Sequence, residues 1–329
     1  MNPEDANTVH DASLQVTDGP VPDVSVVIVN FNGGTLVHQC VASVANHVGR
    51  STLEVIVVDN GSTDGSADAI ASAFPHVRLL RRRDNAGLAK AFNEGVAMMR
   101  GQFLLSLDDG TDVLPGAVDA LVRFLRANPK VGAAGARLYD PDMTLQPVAR
   151  RFPHPMNALF GRRSLAARWF PNHPLVQRYL MSAFVNESEP FAVDWNSSAA
   201  LMVRREVLDA VGAMDGRYFV YWVDADWCYR MRQAGWEVFC VPEARVVHLE
   251  NLRTGHRKRP RARMVIDFHM GAYRFYRDNV VHGWWKPMGL VAAVGLFTRA
   301  TALIAANLVS ERLGRVWRRT AAPPAAAQP

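Results

Sequence analysis

The stretch Leu53-Glu-Val-Ile-Val-Val-Asp-Asn-Gly-Ser-Thr-Asp-Gly65 decides the fold, because a continuous β-branched run ends in two polar residues and a turn. Runs of this kind are typical of strands that are covered on both faces in a parallel sheet. A second such run, Val24–Asn30, precedes it, and residues 36–46 between the two carry apolar side chains at helical spacing. The sequence therefore predicts a β-α-β unit.

The same alternation continues along the chain. Helices are predicted at 66–74, 86–100, up to 127, at 205–211 and up to 233, and strands at 77–81, 103–107, 131–138, 199–203, 236–241 and 245–248. Alternating strands and helices predict an α/β fold with a Rossmann-like, mostly parallel sheet flanked by helices. Ligands bind such sheets beyond the carboxyl ends of the strands.

Polar side chains follow three of the predicted strands at that edge, namely Asn30 and Asn32, Asp59 and Asn60, and Asp108 and Asp109. Their convergence favours a nucleotide site. Neither a Gly-x-Gly-x-x-Gly fingerprint after the first strand nor a Walker A sequence occurs, which disfavours a dehydrogenase and a P-loop enzyme. Two roles stay open for Asp59: it contacts the ribose or base, or it caps the following loop.

The adjacent carboxylates of Asp108 and Asp109 repel each other unless a cation or water screens them. Mg²⁺ on a substrate diphosphate needs only one or two protein carboxylates. His248 ends the last predicted strand, where it would complete a metal site. The alternatives are a solvated turn for the two acids and a structural role for the histidine.

Two more carboxylates, Asp224 and Asp226, lie in the aromatic run from Tyr218 to Arg230. Burying a carboxylate costs free energy unless it is paired or hydrogen-bonded. One interpretation is a general base whose pKa is tuned by apolar surroundings. The other is that Asp224 N-caps the following helix and that Arg230 and Arg232 pair with the acids.

Composition sets the broad class. The chain has 329 residues, a formal charge of +6 and three cysteines far apart. This charge favours phosphates or acidic lipids as partners, and the cysteine pattern favours a reducing compartment. We expect a disordered tail at 1–22, one domain at 23–250, and a basic loop, C-terminal helices and a disordered tail at 251–329. The basic loop lacks interleaved aromatics, so we expect no nucleic-acid partner.

The apolar segment 287–309 approaches the length of a membrane span, but Arg299 lies in its middle, where a charge is costly. Trp284 and Trp285 before it and arginines after it resemble interfacial anchors. We expect a helix that lies on or dips into the cytoplasmic leaflet. That location makes the protein cytoplasmic and peripherally associated with the inner face of the plasma membrane. A packed soluble helix and a true span are the alternatives.

Taken together, the motifs resemble family 2 glycosyltransferases of the GT-A fold, and within them bacterial rhamnosyltransferase-type enzymes of surface polysaccharide synthesis. The resemblance covers residues 23–280. It rests on Val26–Asn32, Val57–Gly65, Asn85–Ala89 with Asn93, Leu114–Gly116, Arg150–Pro153, Val211–Asp215 and Tyr221–Cys228.

The resemblance implies inverting transfer of a sugar, with rhamnose favoured, from a nucleoside-diphosphate sugar to a saccharide acceptor, including one on a polyprenyl diphosphate. It makes Asp224 the general base. It assigns the nucleotide sugar to Asn30, Asp59, Asn60, Asn85, Asp108, Arg257 and Lys258. It assigns a divalent cation, Mg²⁺ or Mn²⁺, to Asp108, Asp109 and His248. It assigns the acceptor side to Trp222, Asp226 and Ser198.

The sequence departs from the family pattern at three points. Gly110 stands where the second metal-binding acid is usual, Val223 replaces the Glu before the base, and Ser197-Ser198 replaces a pair of smaller residues. Gly110 and Val223 support a competing hypothesis, a catalytically inactive GT-A protein that binds a nucleotide sugar or serves as a scaffold.

Overall fold

The computed structural model describes residues 20–45, 49–146, 148–152, 169, 187–249, 262–281 and 286–320. Several predictions fall outside the described residues: residues 1–19 of the tail predicted at 1–22, the tail from residue 321, and most of the irregular stretch after Phe152. The same holds for the basic loop with Arg257 and Lys258, and for Trp284 and Trp285.

The predicted β-α-β unit is confirmed as β1 (Val24–Asn30), α1 (Gly34–Ala45) and β2 (Leu53–Asp59). The two strands are parallel and in register along their full length, so Asn30 pairs with Asp59 at the carboxyl end. Both faces of β1 are covered. Val26 and Ile28 join one core layer and Val27 and Val29 the other, as alternation along a strand requires.

The chain continues through α2 (Ser66–Ala73), β3 (Arg78–Arg81), α3 (Leu88–Ala97) and β4 (Phe103–Asp108). β3 adds to β2, and β4 adds to the other side of β1, all in parallel. β1 is thus the centre of a parallel half-sheet in the order β3-β2-β1-β4. The carboxyl ends of β1, β2 and β4 meet at one edge, as predicted.

The second half follows as β5 (Thr111–Val113), α4 (Ala117–Ala127), β6 (Val131–Tyr139), β7 (Phe191–Val193), β8 (Ala200–Arg204), α5 (Arg205–Val211), α6 (Val223–Gln233) and β9 (Glu237–His248). The sheet order runs on as β4-β8-β6-β9-β5. β8 is antiparallel to both of its neighbours, and β5 and β7 are antiparallel to β9. The mixed α/β sheet with flanking helices is confirmed, and it is fully parallel only in its first half.

β9 unites the two strands predicted at 236–241 and 245–248, and a bulge lies between them. Val241 is the partner of Ala136, but Arg245 is the partner of Arg137, so residues 242–244 have no counterpart on β6. Beyond the bulge, β9 pairs with β5, and His248 lies opposite Thr111. Because β5 begins three residues after β4 ends, the end of β9 lies over the end of β4.

Two further helices close the described chain, α7 (Ala262–Asn279) and α8 (Lys286–Thr320). α8 packs on α7 but exposes many apolar side chains, including Leu290, Val291, Val294 and Phe297. In the described residues, the segment Pro287–Val309 is long and apolar enough to cross a membrane, with a mean hydropathy of 1.7 and 6% of its most apolar window buried. The predicted apolar segment is therefore helical.

Candidate active site

The side chains of Asn30 and Asp59 form a buried hydrogen bond that joins the ends of β1 and β2. The Asn30 Nδ2 donates to Asp59 Oδ1 at 2.8 Å and to Ser66 Oγ at 2.9 Å. The other Asp59 oxygen accepts from the Ser62 amide at 3.3 Å. These hydrogen bonds support the loop-capping role of Asp59. Ser62 and Ser66 contact the predicted site residues, and the sequence reasoning missed them.

Asn60 and Asn85 form a second link, between the loops after β2 and β3. The Asn60 Nδ2 donates to Asn85 Oδ1 at 3.1 Å, and the Asn60 Oδ1 accepts from the Ala86 amide at 3.1 Å. The Asn85 Oδ1 also accepts from the Gly87 amide at 2.9 Å. Four of the seven residues predicted to hold the nucleotide sugar, Asn30, Asp59, Asn60 and Asn85, therefore lie together and fix the shape of the loops after β1, β2 and β3.

Asp108 and His248 meet at the end of β4. The Asp108 Oδ2 lies 3.0 Å from the His248 Nε2, and both side chains are partly accessible to solvent. The predicted pairing of these two groups is observed, although three steps in the strand order separate β4 from β9. A carboxylate oxygen beside an imidazole nitrogen is a donor set that Mn²⁺ or Mg²⁺ accepts when substrate phosphates supply further ligands.

Gln146, which the sequence reasoning missed, fixes the orientation of this histidine. Its Nε2 donates to Asp140 Oδ1 at 2.8 Å and to the His248 carbonyl at 3.1 Å. Both partners are acceptors, so the amide oxygen of Gln146 is the atom that faces His248 Nδ1 at 3.1 Å. Nδ1 then donates to Gln146. The 3.0 Å contact of Nε2 with Asp108 Oδ2 needs a proton on Nε2 as well, and a cation bound between these two groups would replace that proton.

Asp109 contacts the loop after β1, and its assignment as a metal ligand stays a prediction. Its side chain is fully buried, and Oδ2 accepts from the Phe31 amide at 3.2 Å. Neighbouring residues at a strand end point to opposite faces, so Asp109 lies towards the β1 loop while Asp108 faces His248. Within the described ranges, no group of three His, Cys, Asp or Glu side chains is placed to hold a metal.

Gly110 leaves open space where the family usually has an acid. A Cβ built on Gly110 has Leu249 C as its nearest neighbour, at 3.9 Å. The Gly110 carbonyl accepts from the Leu249 amide, which ties the β4–β5 turn to the end of β9. A side chain is therefore tolerated here without rebuilding the turn.

Asp224 lies in the first turn of α6, and its Oδ1 accepts from the Ala225 amide at 2.9 Å. It does not N-cap the helix, since Trp222 occupies that position. Burial raises the pKa of Asp224, while the Ala225 amide, the Arg150 guanidinium and the Ser198 amide oppose that rise. A carboxyl group whose pKa is raised matches the general-base interpretation.

Asp226 and Arg232 each form an ion pair, but with different partners. Asp226 is buried, and its two oxygens accept from Arg230 Nε at 2.9 Å and from Asn279 Nδ2 at 3.1 Å. Helical (i, i+4) spacing places Asp226 over Arg230, and its assignment to the acceptor side stays a prediction. Arg232 pairs with Asp194 at 3.1 Å instead of with either acid of α6.

Ser198 and Trp222, the other two residues expected on the acceptor side, contact different parts of the site. The Ser198 backbone faces Asp224, and its carbonyl accepts from Ser106 Oγ at 2.7 Å. Trp222 lies under α7, with its ring centroid 5.5 Å from that of Phe275. Ser198 is therefore close to the candidate base, whereas Trp222 packs against α7.

Comparison with known proteins defines the class. The sequence profile of glycosyl transferase family 2 matches residues 25–212, more than half of the chain. The chain belongs to that family and is a glycosyltransferase.

Among its relatives is N-acetylglucosaminyl-diphospho-decaprenol L-rhamnosyltransferase of Mycobacterium tuberculosis, 31% identical over 300 residues, which are 87% of this chain and 94% of that protein. Among solved structures, a mannosyltransferase from Pyrobaculum calidifontis in complex with GDP-Man and Mn²⁺ has a TM-score of 0.53 and 19% identity, and the match covers 90% of this chain and 81% of that one. GalNAc-T7 with UDP, GalNAc and Mn²⁺ also has a TM-score of 0.53, with 21% identity, covering 70% of this chain and 44% of that one. The structural matches establish the GT-A fold.

Replacing Asp224 with Asn should raise the thermal unfolding temperature at pH 7–8. The pKa of this carboxyl group is higher in the folded protein than in the unfolded chain. Its contribution to stability is therefore full below the unfolded pKa and is lost as the pH rises through the folded pKa. Calorimetry should show the gain at pH 7–8 and no gain below about pH 4, the usual carboxyl pKa.

The exposed carboxylate of Asp68, which pairs with Arg81 on the surface, provides the control. Asp68→Asn should change the unfolding free energy by less than about 1 kcal/mol at either pH. A lower unfolding temperature for Asp224→Asn at pH 7–8 would contradict the assignment of a charge at Asp224 that destabilises the folded protein.

Proposed function

We propose that the protein transfers rhamnose from a nucleoside-diphosphate sugar, with inversion, to an N-acetylglucosamine acceptor on a polyprenyl diphosphate in cell-wall polysaccharide synthesis. The mycobacterial rhamnosyltransferase supports this proposal through its similarity along nearly the full length of both chains. The observation that carries the mechanism is the position of Asp224 in the first turn of α6, where its carboxylate accepts from the Ala225 amide at 2.9 Å and lies near the Ser198 backbone.

Asp224 acts as the base in this mechanism. The ionised carboxylate takes the proton of the acceptor hydroxyl while that oxygen bonds to the anomeric carbon. The bond from the anomeric carbon to the diphosphate oxygen breaks on the opposite face, and the electron pair leaves with the diphosphate. The positive charge of Arg150 opposes the rise that burial causes in the pKa of Asp224.

Asp108 and His248 are the residues that would hold a divalent cation, and their donor atoms fit Mg²⁺ or Mn²⁺. When bound, such a cation offsets charge on the leaving diphosphate. Gln146 accepts from Nδ1 of His248, so Nε2 is the ring nitrogen that a bound cation would contact. Asn30, Asp59, Asn60 and Asn85 shape the loops against which the nucleotide lies, and Arg257 and Lys258 remain predicted contacts to the diphosphate.

α8 gives the enzyme access to a lipid-linked acceptor. Its exposed side chains include Phe297 at 74% and Leu290 at 71% exposure, and arginines follow the apolar segment. An apolar helix face with flanking basic residues binds at an anionic membrane surface. We therefore place the enzyme at the cytoplasmic face of the plasma membrane, peripherally bound through α8.

Wild-type protein with dTDP-rhamnose, Mn²⁺ and an N-acetylglucosamine-diphospho-polyprenol should form a rhamnosylated lipid, read by mass spectrometry. Asp224→Asn should lower kcat by about 10²–10⁴-fold, since that is the usual contribution of a general base. Donor affinity measured by calorimetry should stay the same. A wild-type protein that binds the donor but transfers nothing would support the non-catalytic alternative.

Gln146→Leu should weaken Mn²⁺ binding about 10–100-fold, the usual effect of removing the partner that orients a metal-ligating histidine. Mn²⁺ electron paramagnetic resonance with a nucleoside diphosphate present measures this directly. The control is Gln102→Leu, an exposed glutamine at the start of β4. Equal Mn²⁺ affinity in both variants would remove Gln146 from the proposed site.

Gly110→Asp should tighten Mn²⁺ binding by about tenfold or more, because it adds a carboxylate where the structure leaves space. Gly110→Ala fills the same space without a ligand and should leave the affinity unchanged. If the Ala variant tightens binding equally, or the Asp variant does not tighten it, the cation does not lie beside this turn.

Leu290→Ser combined with Phe297→Ser should reduce sedimentation with anionic vesicles severalfold, because two exposed apolar side chains of α8 lose their contact with the bilayer. Gly295→Ser changes the same helix where nothing lies within 4 Å and should sediment as wild type. Unchanged sedimentation of the double variant would place the membrane contact elsewhere.

A further inference from the structure

The backbone immediately before the candidate base is strained. Trp222 has φ 71°, in the left-handed region, and in the described chain only Asn32 and Met143 share this feature among non-glycine residues. This conformation is disfavoured for an ordinary L-residue, because it brings Cβ too close to the following carbonyl oxygen. Trp222 is also the N-cap of α6 and makes no side-chain cap hydrogen bond. The start of the helix that carries Asp224 therefore depends on contacts from elsewhere.

Asp267 of α7 supplies the missing polar contacts. Its Oδ2 accepts from the Val220 amide at 3.2 Å and from the Tyr221 amide at 3.1 Å. These amides belong to the two residues that directly precede Trp222. A carboxylate that accepts two backbone amides fixes the path of the chain at that point, because charge-assisted hydrogen bonds are stronger than neutral ones.

Gly271 lets α7 approach the same segment closely. A Cβ on Gly271 would lie 2.9 Å from the Tyr221 carbonyl oxygen and 3.1 Å from Trp222 Cδ1. On either side of it along α7, Phe268 and Phe275 pack on the Trp222 ring with centroid separations of 5.7 and 5.5 Å. One helix thus contacts the main chain and the side chain that set the direction of α6.

We propose that α7 is part of the active site and that Asp267 and Gly271 are positioning residues, which hold the start of α6 and so aim the Asp224 carboxylate at the acceptor. This inference rests on the proposed function of Asp224. α7 lies beyond residue 212, where the family profile ends, and it packs on α8. The C-terminal helices therefore contribute to chemistry as well as to membrane contact.

Asp267→Ala removes both hydrogen bonds, while Asp267→Asn keeps an oxygen that can accept them. We expect Asp267→Ala to lower kcat about 10–100-fold, since small misplacements of a catalytic group have effects of that size, with the donor KM unchanged. Asp267→Asn should retain most of the wild-type kcat. Hydrogen exchange should show faster exchange of the amides at 220–226 in the Ala variant alone.

Gly271→Ala tests the close approach independently, with Gly295→Ala as its control on α8. The Gly271 variant should lose kcat without a change in donor KM, and the control should match wild type. If Asp267→Ala does not fold, the comparison of Gly271→Ala with Gly295→Ala tests the positioning role of α7 by itself.

Unchanged kcat in both Asp267→Ala and Gly271→Ala, equal losses in Asp267→Ala and Asp267→Asn, or a kcat loss without faster exchange at 220–226 would overturn the positioning role. Absence of transfer by wild type would instead overturn the proposed function, and the exchange measurement would still report whether α7 holds the start of α6.

Discussion

The bulge in β9 is the constraint on which the site depends. Residues 242–244 have no partner on β6, and the strand resumes one β6 residue later with Arg245. In a regular sheet, three steps in the strand order would separate β9 from β4 by about 14 Å. After the bulge, β9 keeps β6 on one side and pairs with β5 on the other, and His248 lies 3.0 Å from Asp108. Bulges re-aim side chains next to active sites in this way, and here the bulge assembles the carboxylate–imidazole pair.

Local patterns predicted the elements and the polar edge of the sheet well. β-branched runs identified β1 and β2, and the position of polar residues after them placed Asn30 beside Asp59. The same reasoning paired Asp108 with His248. It did not find that β8 runs antiparallel between β4 and β6, because a short buried strand carries no signal of its direction. The predictions were therefore strongest where neighbouring residues in sequence determine the structure.

Local sequence patterns do not show which side chains make tertiary contacts in the interior. Asp109 and Asp226 lie close in sequence to the candidate functional acids Asp108 and Asp224. The side chain of Asp109 points into the interior because side chains alternate at the strand end, and that of Asp226 does so because it pairs with Arg230 on the same helix. Gln146 and Asp267 were missed because their roles are contacts across about 100 and about 50 residues of sequence. Residues that orient others lack a motif, so they emerge only when the tertiary contacts are known.

We propose that the bulged end of β9 and the end of β4 hold the divalent cation of this glycosyltransferase. Crystals soaked with Mn²⁺ and a nucleoside diphosphate, measured at the manganese absorption edge, test it most directly. We expect one anomalous peak within bonding distance of both Asp108 and His248, and none at Asp109. A peak that contacts neither Asp108 nor His248, or a bound nucleotide with no peak, would contradict it.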